Sequence, residues 1–178
     1  MLNNNYSKGV IFSCIAAIFW GLPQPLFFNE LNHVKTIEVV AHRGFWSFIF
    51  LFLLLILISN LNEFIEIFKS RKRIFILTIT AFLIAGNWAG FIYSVGQERV
   101  QDASMGYFIT PMISIILGYF FLNEKITKPK FVSVCLMFSG ILFLFINLNQ
   151  FPFLIIWIGT SWAIYGLLRK QVNVNPSI

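Results

Sequence analysis

Charge is what this sequence has least of. Asp, Glu, Lys and Arg together make up 11% of its 178 residues, where soluble domains carry about 25%. Cysteine is scarce too. Cys14 and Cys135 both lie inside apolar runs, so no loop offers a disulfide framework or a CxxC metal pair. Both read as small packing residues. Of the two histidines, His33 falls in a loop and His42 stands alone in an apolar run, which argues against a metal site. GxxxxGKS, GxxxxGKT, HExxH and GxSxG do not occur, so neither nucleotide-driven work nor the common hydrolase chemistries are indicated. No enzymatic activity, cofactor or metal is expected.

What is abundant is apolar sequence: 58% of residues are hydrophobic and the mean hydropathy is +0.79. A membrane-crossing helix needs about 20 mostly apolar residues. By that measure six spans are predicted: Lys8–Phe28, Thr36–Ser59, Ile74–Gly96, Ala103–Leu122, Phe131–Asn147 and Phe151–Leu168. The last two are parted only by "LNQFP", and Pro152 suits the first turn of a new helix. The first run carries Trp20, Gly21, Pro23 and Pro25 and lacks a small-residue cleavage pattern, so it reads as a retained span rather than a signal peptide.

The +6 net charge does not indicate nucleic acid, because the basic residues sit in short loops between apolar runs. One side takes Lys8, Lys69, Arg71, Lys72, Arg73, Lys125, Lys128, Lys130, Arg169 and Lys170. The other takes Lys35, Arg43 and Arg99. Cytoplasmic loops of membrane proteins are enriched in Lys and Arg, so both termini are expected in the cytoplasm.

Small and polar residues punctuate the spans. Gly86 and Gly90 form a GxxxG, which permits close helix approach. Asn87, Gly90 and Ser94 share a face, and a mid-span asparagine needs a partner helix or a watered cavity. Tyr107, Pro111, Ser114 and Gly118 mark a small, polar stripe on the fourth span, flanked by Gly106 and Thr110. Gly21, Pro23 and Pro25 predict a bent or unwound end to the first span, an interruption that often accompanies transporter binding sites. A faint echo links Phe19-Trp20-Gly21-Leu22 to Ile164-Tyr165-Gly166-Leu167. It falls in spans that cross in opposite directions, as in inverted repeats.

The stretch "EVVAHRGFWS", Glu38 to Ser47, sets an always-charged guanidinium at the mouth of a greasy helix. Arg43 lies four to six residues inside the predicted boundary, about 6–9 Å deep, within reach of the interface by snorkelling. Glu38 and His42 are spaced to pair. Yet Trp46, Ser47, Trp20 and Gln24 share that level, and a cation beside aromatic faces suits an anionic or aromatic solute. An intramembrane arginine marks a functional site by default.

Five segments carry a family resemblance: "FWG" at 19–21, "AHRGFWS" at 41–47, "GNWAGFIYSV" at 86–95, "ASMGYFITPM" at 103–112 and "AIYGLLRK" at 163–170. Together and in order, they resemble the RarD branch of the EamA-like drug/metabolite transporter superfamily. The resemblance implies an all-α integral membrane protein in the bacterial inner membrane, built on inverted five-helix repeats around a central cavity. Residues 1–148 then form the first repeat and 149–178 the first helix of an incomplete second one, about six transmembrane helices in all. Trp20, Arg43, Asn87, Trp88 and Tyr107 occupy the family's motifs and are the candidate substrate-binding residues. The implied activity is secondary-active movement of a small metabolite or drug-like solute. The expected partners are the lipid bilayer and that solute, with no nucleic acid.

Two departures stand out. Asn123 precedes Glu124 where the family usually has glycine, and the family continues for four more helices, so the chain reads as a truncated copy. Such a copy is expected to need its missing second repeat or to self-associate. A non-transporting scaffold or assembly protein derived from such a transporter is the alternative.

Overall fold

The computed structural model describes residues 4–58, 61–146 and 152–172. Among them are eight helices and no strand: α1 (Asn4–Gly21), α2 (Pro23–Glu30), α3 (Thr36–Ile58), α4 (Leu61–Phe68), α5 (Arg71–Gly96), α6 (Val100–Leu122), α7 (Lys128–Ile146) and α8 (Phe153–Gln171). Five stretches are long and apolar enough to cross a membrane: α1 with α2, then α3, α5, α6 and α7. The protein is an all-α, multi-pass membrane protein.

The sixth predicted span is present as α8 but lies outside that set of five. Thr160, Ser161 and Gly166 interrupt its apolar run, and Arg169 and Lys170 close it. The reason is its position, packed against both α5 and α6. A helix enclosed by other helices needs small and hydrogen-bonding residues at its contacts more than it needs lipid-like ones. The connection "NLNQF" at 147–151, with the tail from 173 onward, lies outside the described residues.

The first span is interrupted as its glycine and prolines predict. α1 stops at Gly21, Leu22 makes the corner, and α2 restarts with Pro23 in its first turn, where a missing amide hydrogen costs nothing. The sequence reading missed α4. Its "LNEFIEIF" alternates acidic and apolar residues with helical period, the pattern of a helix lying along an interface. Ser70 then caps α5, its hydroxyl accepting the Arg73 amide at 3.4 Å.

Packing is densest at the end of the bundle away from the basic loops. Phe28, Val39, Val40, Phe91, Ile92, Val95, Ala103 and Ile158 form the buried apolar cluster there. α7 contributes no buried residue. At the basic end, Asn123 takes a left-handed conformation, φ 53°, and the Glu124 amide bonds the Gly118 carbonyl at 3.1 Å. Glycine favours that conformation and asparagine tolerates it, which suits Asn123 to the turn where the resemblance leads one to expect glycine. The turn delivers the Glu124 carboxylate to Lys170 at the end of α8. That hydrogen bond, reinforced by the lysine charge, holds the Glu124 carboxyl below the usual carboxylate range.

Candidate functional site: an arginine-edged cavity beside a helix clamp

Glycine brings three helices into a clamp. A Cβ on Gly159 would stand 2.7 Å from the Gly106 carbonyl oxygen, and one on Gly106 would stand 2.8 Å from Ile158 Cβ. Both distances are shorter than real Cβ contacts, so α6 and α8 touch backbone to backbone only because both positions are glycine. The GxxxG of α5 meets the same partner. Gly86 and Gly90 lie under the Trp157 indole, whose Nε1 donates to the Gly86 carbonyl at 2.9 Å.

Asn87 is the centre of this clamp and is fully buried. Its Nδ2 donates to the Ile158 carbonyl at 2.8 Å and the Ser161 hydroxyl at 3.0 Å. Its Oδ1 accepts from the Tyr107 hydroxyl at 2.9 Å. One amide therefore ties α5, α6 and α8 together, and both of its donor hydrogens are used. The face shared by Asn87, Gly90 and Ser94 is buried as a unit. The stripe on α6 divides between the clamp and the surface. Ala103, Gly106 and Ile109 are buried, and the Thr110 hydroxyl lies 3.4 Å from the Gly159 carbonyl. Pro111 and Ser114 are exposed, and Gly118 packs on Glu124. The face that meets α8 is set by how closely backbones approach, which is decided by Gly106 rather than by Pro111.

A cavity of about 880 Å³ opens between α1–α2 and α3, within the usual size of a small-molecule site. Trp20, Phe28, Gln24, Arg43, Trp46 and Ser47 are among its walls. Its walls come from both sides of the helix break at Leu22 and from α3. Arg43 stands at its edge with the guanidinium carbon 4.0 Å from the Trp88 ring centre and 5.6 Å from that of Phe28. Among the described residues no carboxylate comes within ion-pair distance of it. Glu38 and His42 form no ion pair either. Two buried polar atoms in this region lack partners, Gln24 Oε1 and Trp88 Nε1.

The five candidate residues thus divide. Trp20 and Arg43 line the cavity. Trp88 lies behind Arg43 as its stacking surface. Asn87 and Tyr107 belong to the clamp, and Asn87 has no exposed surface to offer a solute. An aromatic chain joins the regions: Trp20 lies 6.3 Å from Trp162, which lies 6.2 Å from Tyr107 and 5.4 Å from Tyr165. Both halves of the faint echo, Trp20 and Tyr165, therefore meet on Trp162. Trp162 and Trp157 were not singled out from the sequence. Their signal is aromatic density on α8 opposite the glycines of α5.

Residues 7–146 match the EamA-like transporter family. A protein named RarD from Salmonella typhimurium is 34% identical over 168 residues, 94% of this chain and 57% of the relative. An uncharacterized transporter of Vibrio cholerae is 33% identical over 168 residues, covering 94% and 55%. The uncharacterized transporter YojE of Bacillus subtilis is 30% identical over 174 residues, covering 96% and 58%. The chain spans little more than half the length of these relatives. No solved structure matches it.

Proposed function

The chain belongs to the EamA-like transporter family, in its RarD branch, and on that footing we propose that it forms the solute-facing first part of a secondary-active transporter. Residues 1–148 make the first repeat and 149–178 contribute the opening helix of a second. The transporter moves a small metabolite or drug-like solute across the bacterial inner membrane. The observation that carries this reading is Arg43, an intramembrane cation over the Trp88 ring at the edge of a large cavity, with no carboxylate among the described residues within ion-pair distance. A charge placed in that setting for structure alone would be expected to have a counter-ion. The family match ends at 146, ahead of α8, which supports the division into repeats.

The basic loops face the cytoplasm in this reading, with both termini on that side. Single cysteines at Glu98 and Ser70, in a background lacking Cys14 and Cys135, check it. A membrane-impermeant thiol reagent added to intact cells labels the first and spares the second; the reverse pattern contradicts the orientation.

The function is tested in proteoliposomes carrying the chain, alone and joined to the C-terminal remainder of the Salmonella relative. The panel is amino acids, nucleosides and amphenicols. Saturable, solute-selective uptake is expected in at least one form, and Ser47→Trp, which fills the cavity, removes it. Absence of saturable uptake in both, or uptake indifferent to Ser47→Trp, overturns the proposal.

A further inference from the structure

We propose that the cavity beside Arg43 selects flat aromatic anions, of which aromatic monocarboxylates are the simplest members; this rests on the reading of that cavity as the solute site. Three observations converge on the class. First, charge: among the described residues the lining includes the Arg43 guanidinium, the His42 imidazole and no Asp or Glu. A cationic solute would meet Arg43 with nothing to offset it. A carboxylate would receive the planar fork of donors that Arg43 directs to no acidic side chain among the described residues.

Second, shape and surface. Phe19, Trp20, Phe27, Phe28 and Trp46 supply ring faces and edges around the cavity. Such walls favour a solute that can stack offset or edge-on over an aliphatic one of equal volume. Phe45 and Trp46 already stand edge-to-face at 5.5 Å, and Phe27 and Phe28 do so at 5.4 Å. Third, pre-organisation. The guanidinium carbon lies over the Trp88 ring, 4.0 Å from its centre, so part of the side-chain freedom is already given up before an acid binds. Arg43 is about 10 Å along the axis from the start of α3 at Thr36. A carboxylate there sits inside the bilayer, where its attraction to the cation is weakly screened. The buried, partnerless Gln24 Oε1 adds an acceptor for a ring-borne N–H or O–H.

Equilibrium binding to the purified chain in nanodiscs decides the class with matched probes. Indole-3-carboxylate is compared with its neutral carboxamide, with tryptamine and with cyclohexanecarboxylate. The aromatic acid is expected to bind at least about tenfold tighter than the carboxamide and the amine, the scale of one charge-assisted hydrogen bond, and at least about threefold tighter than cyclohexanecarboxylate, the scale of one aromatic contact. Arg43→Gln is expected to level acid and carboxamide while leaving the preference for rings. Equal binding of acid, carboxamide and amine by the wild type overturns the anion class, and equal binding of the aromatic and alicyclic acids overturns the aromatic one. In either case the cavity reading survives if Trp46→Ala and Ser47→Trp still weaken the probes. Probes that bind unchanged in both variants show instead that they do not occupy this cavity, which removes the proposal and the reading beneath it. The wild-type comparison is sufficient even if Arg43→Gln fails to fold.

Discussion

Asn87 and Arg43 are both polar side chains inside apolar helices, and their surroundings differ in kind. Around Asn87 the backbones of α6 and α8 touch, glycines sit where any Cβ would collide, and the amide hydrogens all find acceptors. Around Arg43 a cavity of about 880 Å³ remains, and Gln24 and Trp88 hold unpaired polar atoms. Close packing with satisfied polar groups specifies one arrangement and resists change. Open packing with unsatisfied groups is unfavourable unless something else completes it. The comparison separates a scaffold from a site, although the sequence presents both as polar residues in greasy helices.

The largest effect is expected where the scaffold is tightest. Gly159→Val drives a branched side chain into the Gly106 carbonyl, and overpacking of that kind costs about 3 kcal/mol or more. In a detergent unfolding series the variant should lose the cooperative transition or shift it far down. A shift no larger than that of a surface substitution would mean that α6 and α8 are not in contact.

Asn87→Leu comes next. It takes the acceptor from the Tyr107 hydroxyl and a donor from the Ser161 hydroxyl, which keeps its own bond to the Ile158 carbonyl, and should cost about 1–2 kcal/mol, since polar contacts between membrane helices average well under 1 kcal/mol each. Tyr107→Phe in the same background should add almost nothing, because its partner is already gone; full additivity would break the clamp as described.

The smallest effect lies at the exposed Glu124–Lys170 pair, since surface ion pairs contribute little. The folded-state pKa of Glu124 is depressed, so its contribution is present above the unfolded carboxylate value and is lost as pH falls through the folded one. Wild type should therefore exceed Glu124→Gln in thermal stability near neutral pH, and the gap should close under acid. A gap that persists below the carboxylate range would assign the effect to the turn rather than to the charge.

Much of this was legible in the sequence because bilayers enforce simple rules. Apolar length marked the helices, and Gly21, Pro23 and Pro25 marked the break whose two sides line the cavity. The level shared by Trp20, Gln24, Arg43, Trp46 and Ser47 anticipated its walls. What escaped was pairing. Nothing in "GNWAGFIYSV" says that its glycines face Trp157, 67 or more residues later. The asparagine's destination depended on α8, whose weaker hydropathy made it the least conspicuous span. On α6 the stripe did not say which residues meet α8: Gly106 and Thr110, at its flank, make that contact, because backbone proximity follows the glycine. α4 is too short for a test of apolar length and shows itself only by helical alternation of Glu66 with Ile65, Ile67 and Phe68.

The division between scaffold and site is tested most directly by Arg43→Lys, with stability and uptake measured on the same preparation. Lysine keeps the charge and the reach but not the planar fork that stacks on Trp88. The account predicts unfolding within about 0.5 kcal/mol of wild type, as for a substitution outside the packed core, and uptake reduced about tenfold or more. Near-normal uptake with lysine would show that Arg43 needs only to carry its charge to the interface, and would contradict the claim that its stacked guanidinium serves the solute.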